Sequence, residues 1–261
     1  MQPFEDLIIT SDQRILTVTL NRPQARNALR EGTLRELLRV FDENAVGADI
    51  GVIVITGQGD SAFCAGGDIR EMEKKDVKQA RKFAELSHEL LSKMEQLPKP
   101  IIAAVNGVAL GAGCDLAVAC DICLASEKAS FGMTSAKIGI ISPLGGTQRL
   151  PRLIGPRNAK YLFFTGEMID ARRAKEIGLA NYVIQNEALM SETKSLALRI
   201  MNQAPLAVAS CKRLVNVSMD QSLRDGDNLE IELYSECFAT EDKKEGMNAF
   251  LEKRKPTFKG K

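Results

Sequence analysis

Histidine is almost absent from this 261-residue sequence, in which His88 is the only one. Every scheme in which a histidine activates a serine or cysteine nucleophile therefore depends on His88. The residue falls inside a helix expected at 78–97, where its position is consistent with either face. We interpret His88 as an ordinary helix residue, which disfavours a nucleophilic triad as the chemistry of this chain.

A complete set of metal ligands is also missing. The six cysteines lie at positions 64, 114, 120, 123, 211 and 237. Cys120 and Cys123 form a CxxC pair, but neither a second pair nor two histidines complete a site. We therefore predict no metal, and we expect packed free thiols in a reducing compartment.

The sequence has neither an excess of one charge nor a long apolar run. Its 35 Lys and Arg residues stand against 34 Asp and Glu residues, which leaves a formal net charge of +1. This balance gives no electrostatic reason to expect nucleic acid as a partner. The longest apolar run is too short and too rich in glycine to span a bilayer, and the first residues do not resemble a signal peptide. We expect no membrane partner, and a location in the cytoplasm or, for a mature form, in an organelle matrix.

Hydrophobic periodicity predicts an α/β fold. The segments 6–10 and 15–20 alternate as a hairpin does, and the apolar runs 51–57, 101–105 and 122–125 are predicted to be strands. Helical spacing and helix-end signals predict these helices: 33–46, 78–97, 113–120, one beginning near Pro156, 170–178, 186–203, 205–218, 222–238 and 241–253. Strands therefore alternate with helices at first and give way to a mostly helical part after residue 145.

Two glycine-rich loops, 63–68 and 106–115, each follow an apolar run and precede a helix. Glycine reaches positive φ and lets a ligand approach the backbone closely. Either loop alone is typical of a tight turn. Together they can aim two backbone N–H groups at one oxygen, which is how an oxyanion hole stabilises a carbonyl that becomes an enolate. The pair is the strongest candidate for a functional site.

Further motifs accompany these loops along nearly the whole chain. They are Asn21-Arg-Pro, Asn27-Ala-Leu, Phe63-Cys-Ala-Gly-Gly-Asp-Ile, Lys99-Pro-Ile-Ile-Ala-Ala-Val-Asn-Gly, Gly111-Ala-Gly-Cys-Asp, Phe131-Gly, Gly145-Gly-Thr-Gln-Arg-Leu-Pro and Glu245-Gly-Met-Asn-Ala-Phe. Any one of them is a weak signal, but the set in this order is highly specific. On these residues the chain is identified as a member of the enoyl-CoA hydratase/isomerase (crotonase) superfamily.

The resemblance implies a crotonase-like spiral of ββα turns over residues 1–199, which carries the acyl-CoA site. It implies a C-terminal helical trimerisation region over residues 200–261, and a homotrimer or a dimer of trimers. The expected substrate is an acyl-CoA thioester. No cofactor is expected, since coenzyme A is part of the substrate.

The resemblance also implies which residues form the site. The two N–H groups of the oxyanion hole are those of Gly67 and Ala112. Ala112 begins the expected helix, where free N–H groups and the helix dipole favour negative charge. The last two of the implied CoA-binding residues lie on a C-terminal helix that a neighbouring subunit could supply. The full set is Arg22, Arg26, Ala28, Gly67, Asp68, Ile69, Arg70, Ala112, Phe250 and Lys253.

The chain departs from the family pattern at two catalytic positions. Typical hydratases of the superfamily use two glutamates on one water, and Asp115 and Ser135 stand in their places here. Aspartate retracts the carboxylate by one C–C bond, about 1.5 Å, and a displacement near 1 Å can cost ~100-fold in rate. Serine cannot act as a carboxylate base, but it can position a water. We expect Asp115 to be the main acid/base and Ser135 to position the water.

For both residues, a purely structural role is an alternative to a catalytic one. Asp115 fits a first-turn acid that the helix dipole stabilises, and Ser135 fits an ordinary loop residue. Other branches of the superfamily place a carboxylate eight residues beyond the second glutamate, where this chain has Pro143. This difference argues against the dienoyl-CoA isomerase and dehalogenase chemistries.

Three functions are compatible with the sequence. The otherwise complete hydratase pattern favours a lyase that adds or removes water on an α,β-unsaturated acyl-CoA, with a cyclic or conjugated acyl group to account for the altered pair. Phe131-Gly-Met-Thr and the segment from Glu245 also resemble the methylmalonyl-CoA decarboxylase branch, in which loss of CO₂ from a malonyl-type thioester creates the enolate without paired glutamates. The third is a non-catalytic homologue that binds acyl-CoA or RNA, which the balanced charge weighs against.

Overall fold

The computed structural model describes residues 3–45 and 49–261. Strands are numbered along the chain. Six of them form the larger sheet: β1 (Leu7–Asp12), β2 (Ile15–Leu20), β3 (Val52–Gly57), β5 (Ile101–Val105), β7 (Ile122–Ser126) and β10 (Tyr182–Ile184). They lie side by side in this order. The predicted hairpin is the antiparallel pair β1-β2, and every other pair in this sheet is parallel.

A second, smaller sheet contains β4 (Ala62–Cys64), β6 (Val108–Leu110), β8 (Ser130–Gly132) and β9 (Met168–Asp170), side by side in this order. The strand predictions omitted all four, because three residues are too few to show a hydrophobic period. The chain passes from a strand of the large sheet to one of the small sheet and then to a helix, and it repeats this path at β3-β4, β5-β6 and β7-β8. The predicted ββα spiral is thereby confirmed.

Helices cover the sheets and then form the C-terminal part of the chain. Numbered in order, α1 to α11 are Glu31–Glu43, Ile69–Met72, Val77–Gln96, Ala112–Ala119, Gly146–Ile154, Pro156–Thr165, Ala171–Glu176, Leu189–Met201, Pro205–Val217, Leu223–Phe238 and Glu241–Leu251. The helix predicted at 33–46 begins two residues earlier, where the Thr33 hydroxyl accepts a hydrogen bond from the Arg30 N–H at 3.3 Å, and position 46 lies outside the described residues. In the part of the chain that the structure describes, no helix is long and apolar enough to cross a membrane.

The core lies on both faces of the large sheet. All six residues of β3 are buried, as predicted for a strand covered on two sides. Ile53 and Ile55 face the main core between the sheets and helices. Val52 and Val54 face a smaller cluster that includes Leu189 of α8. Since α8 packs on the sheet, the predicted domain boundary between residues 199 and 200 falls inside this helix, and the division itself remains a prediction.

Candidate active site

The two glycine-rich loops lie against each other where β4 and β6, which pair in parallel, end. A methyl group placed on Gly66 would lie 3.0 Å from the carbonyl oxygen of Leu110 and 4.0 Å from the nitrogen of Ala112. The φ angle of Gly66 is 112°, a conformation that favours glycine. The tertiary fold therefore brings together the two loops that the sequence singled out.

The N–H groups of Gly67 and Ala112 donate no hydrogen bond to any residue that the structure describes. Around Gly67, Leu29 donates to the carbonyl oxygen of Gly66 and Asp68 donates to that of Leu29, each at 2.8 Å. Ala112 is the first residue of α4, whose first N–H groups have no helical acceptor. Both donors remain available to a ligand oxygen.

An ion pair ties the turn of residues 22–28 to the loop that carries Gly67. Arg22 donates to the Ala28 carbonyl oxygen at 2.6 Å and to Asp68 Oδ2 at 2.8 Å. Asp68 also caps α2 by accepting from the Arg70 N–H at 3.0 Å. Burial by itself raises the pKa of Asp68. The hydrogen bond and the positive charge of Arg22 outweigh this effect, so the pKa lies below its usual value. The Arg22 guanidinium is thus used to hold this loop in place.

Apart from Ala112, the predicted CoA-binding residues fall into two groups. Those at positions 22–28 and 67–70 lie together around this ion pair, where Arg26, Ile69 and Arg70 are exposed. Phe250, which is 83% exposed, and Lys253 lie at the end of α11 and just beyond it. Among the described residues, neither makes a hydrogen bond or ion pair with the two loops.

Asp115 lies in the first turn of α4 and is 1% exposed. Its Oδ2 accepts a hydrogen bond from the Ser142 hydroxyl. Its buried Oδ1 has no hydrogen-bond partner of good geometry among the described residues. A methyl group on Gly146 would lie 1.7 Å from Oδ1, so only glycine fits at that position.

The environment of Asp115 brings the proton equilibrium of its carboxyl close to neutral pH, where both the protonated and the ionised forms are populated. Burial raises the pKa of this carboxyl to about 7. The hydrogen bond from Ser142, the charge of Arg149 and the backbone N–H groups of Gly146 and Leu144 lower this pKa, but their effect is smaller than that of burial. A carboxyl whose pKa lies near neutral pH is suited to exchange protons as both acid and base.

Ser135 lies beside the glycine-rich loop 106–115. It belongs to a 3₁₀ helix, Thr134–Ile138, and its Oγ would be 3.2 Å from a methyl group on Gly111. Gly111 directly precedes Ala112, so the hydroxyl faces the same loop as the candidate donor. Ser142 was not among the residues predicted for the site, because a serine in an apolar loop carries no motif.

The single histidine and the cysteines do not supply a nucleophile for the candidate site. His88 is exposed on α3. Burial raises the pKa of the Cys64 thiol to about 12, so it is inert as a nucleophile. No cluster of His, Cys, Asp and Glu residues suited to a metal ion occurs within the described ranges.

Comparison with known proteins identifies the family. The enoyl-CoA hydratase/isomerase family model matches residues 10–261. A crotonyl-CoA hydratase from Syntrophomonas wolfei is 42% identical over 259 residues, which is 98% of each chain. A short-chain-enoyl-CoA hydratase from Clostridium acetobutylicum is 42% identical over 252 residues, which is 97% of each chain.

Solved structures agree with these sequence matches. A crystal structure of an enoyl-CoA hydratase from Bacillus anthracis superposes with a TM-score of 0.95 at 37% identity, and the match covers 98% of this chain and 100% of that one. The chain therefore belongs to the enoyl-CoA hydratase/isomerase family. It is an enzyme of the hydratase type, and the predictions of family, fold class and enzyme class are confirmed.

Proposed function

We propose that this enzyme adds water to, or removes water from, the double bond of an α,β-unsaturated acyl-CoA thioester. The observation that carries the proposal is the juxtaposition of two loops whose Gly67 and Ala112 N–H groups have no acceptor among the described residues. One buried carboxyl, that of Asp115, lies three residues beyond Ala112 on the same helix.

In the proposed reaction the thioester oxygen accepts hydrogen bonds from the Gly67 and Ala112 N–H groups. Negative charge develops on that oxygen when water attacks the β-carbon, and one such donor is worth about 3 kcal/mol. Ionised Asp115 takes a proton from the attacking water and then returns a proton to the α-carbon. In this proposal Ser135 positions the water, and Arg26 and Arg70, which are exposed, bind the phosphates of coenzyme A.

The test is a panel of enoyl-CoA thioesters with linear, cyclic and conjugated acyl groups. Gain of one water is followed by mass spectrometry for the wild type and for Asp115→Asn. Loss of general acid/base catalysis is expected to lower kcat by ~100-fold or more. Equal activity of the two proteins would reject Asp115 as the base.

A second candidate is decarboxylation of a malonyl-type acyl-CoA, because Asp115 is covered by Ser142 and the position of the second carboxylate holds Ser135. Loss of CO₂ produces the enolate directly, so two N–H donors without paired carboxylates are sufficient. Release of CO₂ from malonyl-type thioesters, with no hydration of any enoyl-CoA, would favour this function. RNA binding that weakens with salt, without turnover of either class, would favour the non-catalytic alternative.

We also propose a homotrimer, or a dimer of such trimers, formed through the C-terminal helices. Large apolar side chains on α10 and α11 are exposed in the single chain, and patches of this kind are typical of interfaces. They are Leu223, Ile231, Tyr234, Phe250 and Leu251. Sedimentation of the purified protein tests the assembly, and a monomer would contradict it. A location in the cytoplasm or an organelle matrix remains part of the same proposal.

A further inference from the structure

Ser142 and Asp115 form a buried pair that joins α4 to the loop before α5. Ser142 is 4% exposed, whereas the adjacent Ile141 is 76% exposed. The loop therefore turns the serine inward and the isoleucine outward. Pro143 follows, and because proline has no N–H it cannot donate to the carboxyl itself. The Ser142 hydroxyl is the one side-chain donor to Asp115 among the described residues.

We propose that Ser142 is a positioning residue, which holds Asp115 Oδ2 so that Oδ1 is the oxygen that exchanges the catalytic proton. The inference rests on the proposed hydratase function. The last torsion of an aspartate side chain is broad, so a donor on one oxygen is needed to define the plane of the carboxyl. Oδ1 accepts no hydrogen bond of good geometry from the described residues and is therefore the more basic oxygen.

The backbone N–H groups of Gly146 and Leu144 also lie near the Asp115 carboxyl and lower its pKa, but Ser142 is the side chain that donates a hydrogen bond to it. Arg149 of α5 contributes positive charge, but its guanidinium is paired with Glu95 at 2.7 Å. Cys64 of β4 and Cys114 of α4 are the neighbouring titratable groups, and burial raises the pKa of both thiols so that they stay neutral.

The experiment compares Ser142→Ala with Ser142→Thr, which keeps the hydroxyl. The kcat/KM for crotonyl-CoA, or for the best substrate of the panel, is measured across pH. Ser142→Ala is expected to lower kcat roughly tenfold to 100-fold with little change in KM. The pH at which activity rises should move up by about one unit, because the hydroxyl stabilises the ionised carboxyl. Ser142→Thr should restore both properties.

Ser126→Ala is the matched control. Ser126, at the end of β7, is also fully buried, and it donates to Asn186 Oδ1 at 2.8 Å in the segment after β10. This variant is expected to lose stability while keeping the wild-type pH profile. If Ser142→Ala does not fold, Ser142→Cys replaces it, since a thiol is a weak donor of similar size.

A second readout needs no substrate. The Asp115 carboxyl carbon is titrated by ¹³C NMR, and its signal is assigned by its absence in Asp115→Asn. A higher pKa in Ser142→Ala, together with the slower reaction, would support the inference. An active wild type with an unchanged titration and pH profile in Ser142→Ala would overturn it, even if stability fell. A wild type that hydrates no enoyl-CoA would instead overturn the proposed function and, with it, the catalytic role of Ser142.

Discussion

Gly113 in the first turn of α4 lies directly against the backbone of Cys64 at the end of β4. A methyl group on Gly113 would lie 2.0 Å from the Cys64 carbonyl oxygen and 2.8 Å from its carbonyl carbon. Such distances do not occur for real side chains, and the obstacle is backbone that cannot rotate away. This contact therefore sets how closely the two loops of the candidate oxyanion hole approach each other.

Replacement of glycine by alanine usually stabilises a helix, but Gly113→Ala should destabilise this protein. In an open helix this change stabilises by up to ~1 kcal/mol. Here we expect the free energy of unfolding to fall by about 1–3 kcal/mol, because one loop must move. We also expect kcat/KM to fall ~100-fold, since the Ala112 N–H is displaced with it. Urea unfolding and steady-state kinetics measure the two effects.

Gly226→Ala is the control for this prediction. Gly226 lies within α10, and nothing in the described structure comes within 4 Å of a methyl group placed there. Its replacement should raise the free energy of unfolding by up to about 1 kcal/mol and leave the kinetics unchanged. A Gly113→Ala enzyme with wild-type stability and activity would contradict the close contact with Cys64.

Asp115 should make stability depend on pH. Its pKa is raised from 3.8 to about 7 in the folded protein, so the folded state binds the proton more tightly than the unfolded chain does. The resulting contribution to the free energy of unfolding is fully present below the pKa that Asp115 has in the unfolded chain. It is lost as the pH rises through the pKa that Asp115 has in the folded protein. The free energy of unfolding of the wild type, minus that of Asp115→Asn, should therefore fall by on the order of 4 kcal/mol between about pH 4 and pH 8.

Urea unfolding of both proteins across this pH range provides the measurement. Subtracting the variant from the wild type removes the contributions of all groups that the two proteins share. If the two stability curves run parallel, Asp115 has an ordinary pKa and is not buried as the structure shows. In the wild type, kcat/KM should rise as pH passes through about 7, because the base must be ionised.

Removal of the Asp68 carboxylate should weaken the site as well as the helix that it caps. Asp68→Ala removes an N-cap, worth about 1 kcal/mol of stability, and it breaks the 2.8 Å ion pair with Arg22. The loop that carries Gly67 then loses its link to the turn of residues 22–28. We expect kcat/KM to fall roughly tenfold to 100-fold, as measured by steady-state kinetics with the acyl-CoA substrate.

Asp76→Ala distinguishes the two roles of Asp68. Asp76 caps α3 by accepting from the Gln79 N–H at 2.7 Å, and no ion pair with Arg22 is involved. Its loss should cost about 1 kcal/mol of stability and leave kcat/KM unchanged. If both variants lower kcat/KM equally, the ion pair with Arg22 does not position the loop.

Ser135→Glu should restore a second carboxyl group beside Gly111. A positioned general acid contributes about 100-fold or more, so we expect a rise of at least about tenfold in kcat for hydration of crotonyl-CoA. Ser135→Gln has the same shape without the acid and should give no rise. Equal rates for the two variants would show that the missing carboxyl does not limit hydration of a short linear substrate.

The sequence alone identified the features that local patterns encode. Apolar periodicity located β3, α3 and the C-terminal helices to within a few residues, because burial of one face repeats along a segment. The order of the motifs identified the family, and the glycines of loops 63–68 and 106–115 marked the candidate site before any contact between the loops was known.

Only the tertiary structure decided how these segments meet. The small sheet consists of three-residue strands that are stabilised by their neighbours and not by their own pattern. The burial of Asp115 and its hydrogen bond to Ser142 join residues that are 27 positions apart. Neither residue's local sequence specifies the other, since the pairing depends on how α4 and the loop before α5 pack together. The ionisation of the carboxyl at position 115 follows from that packing.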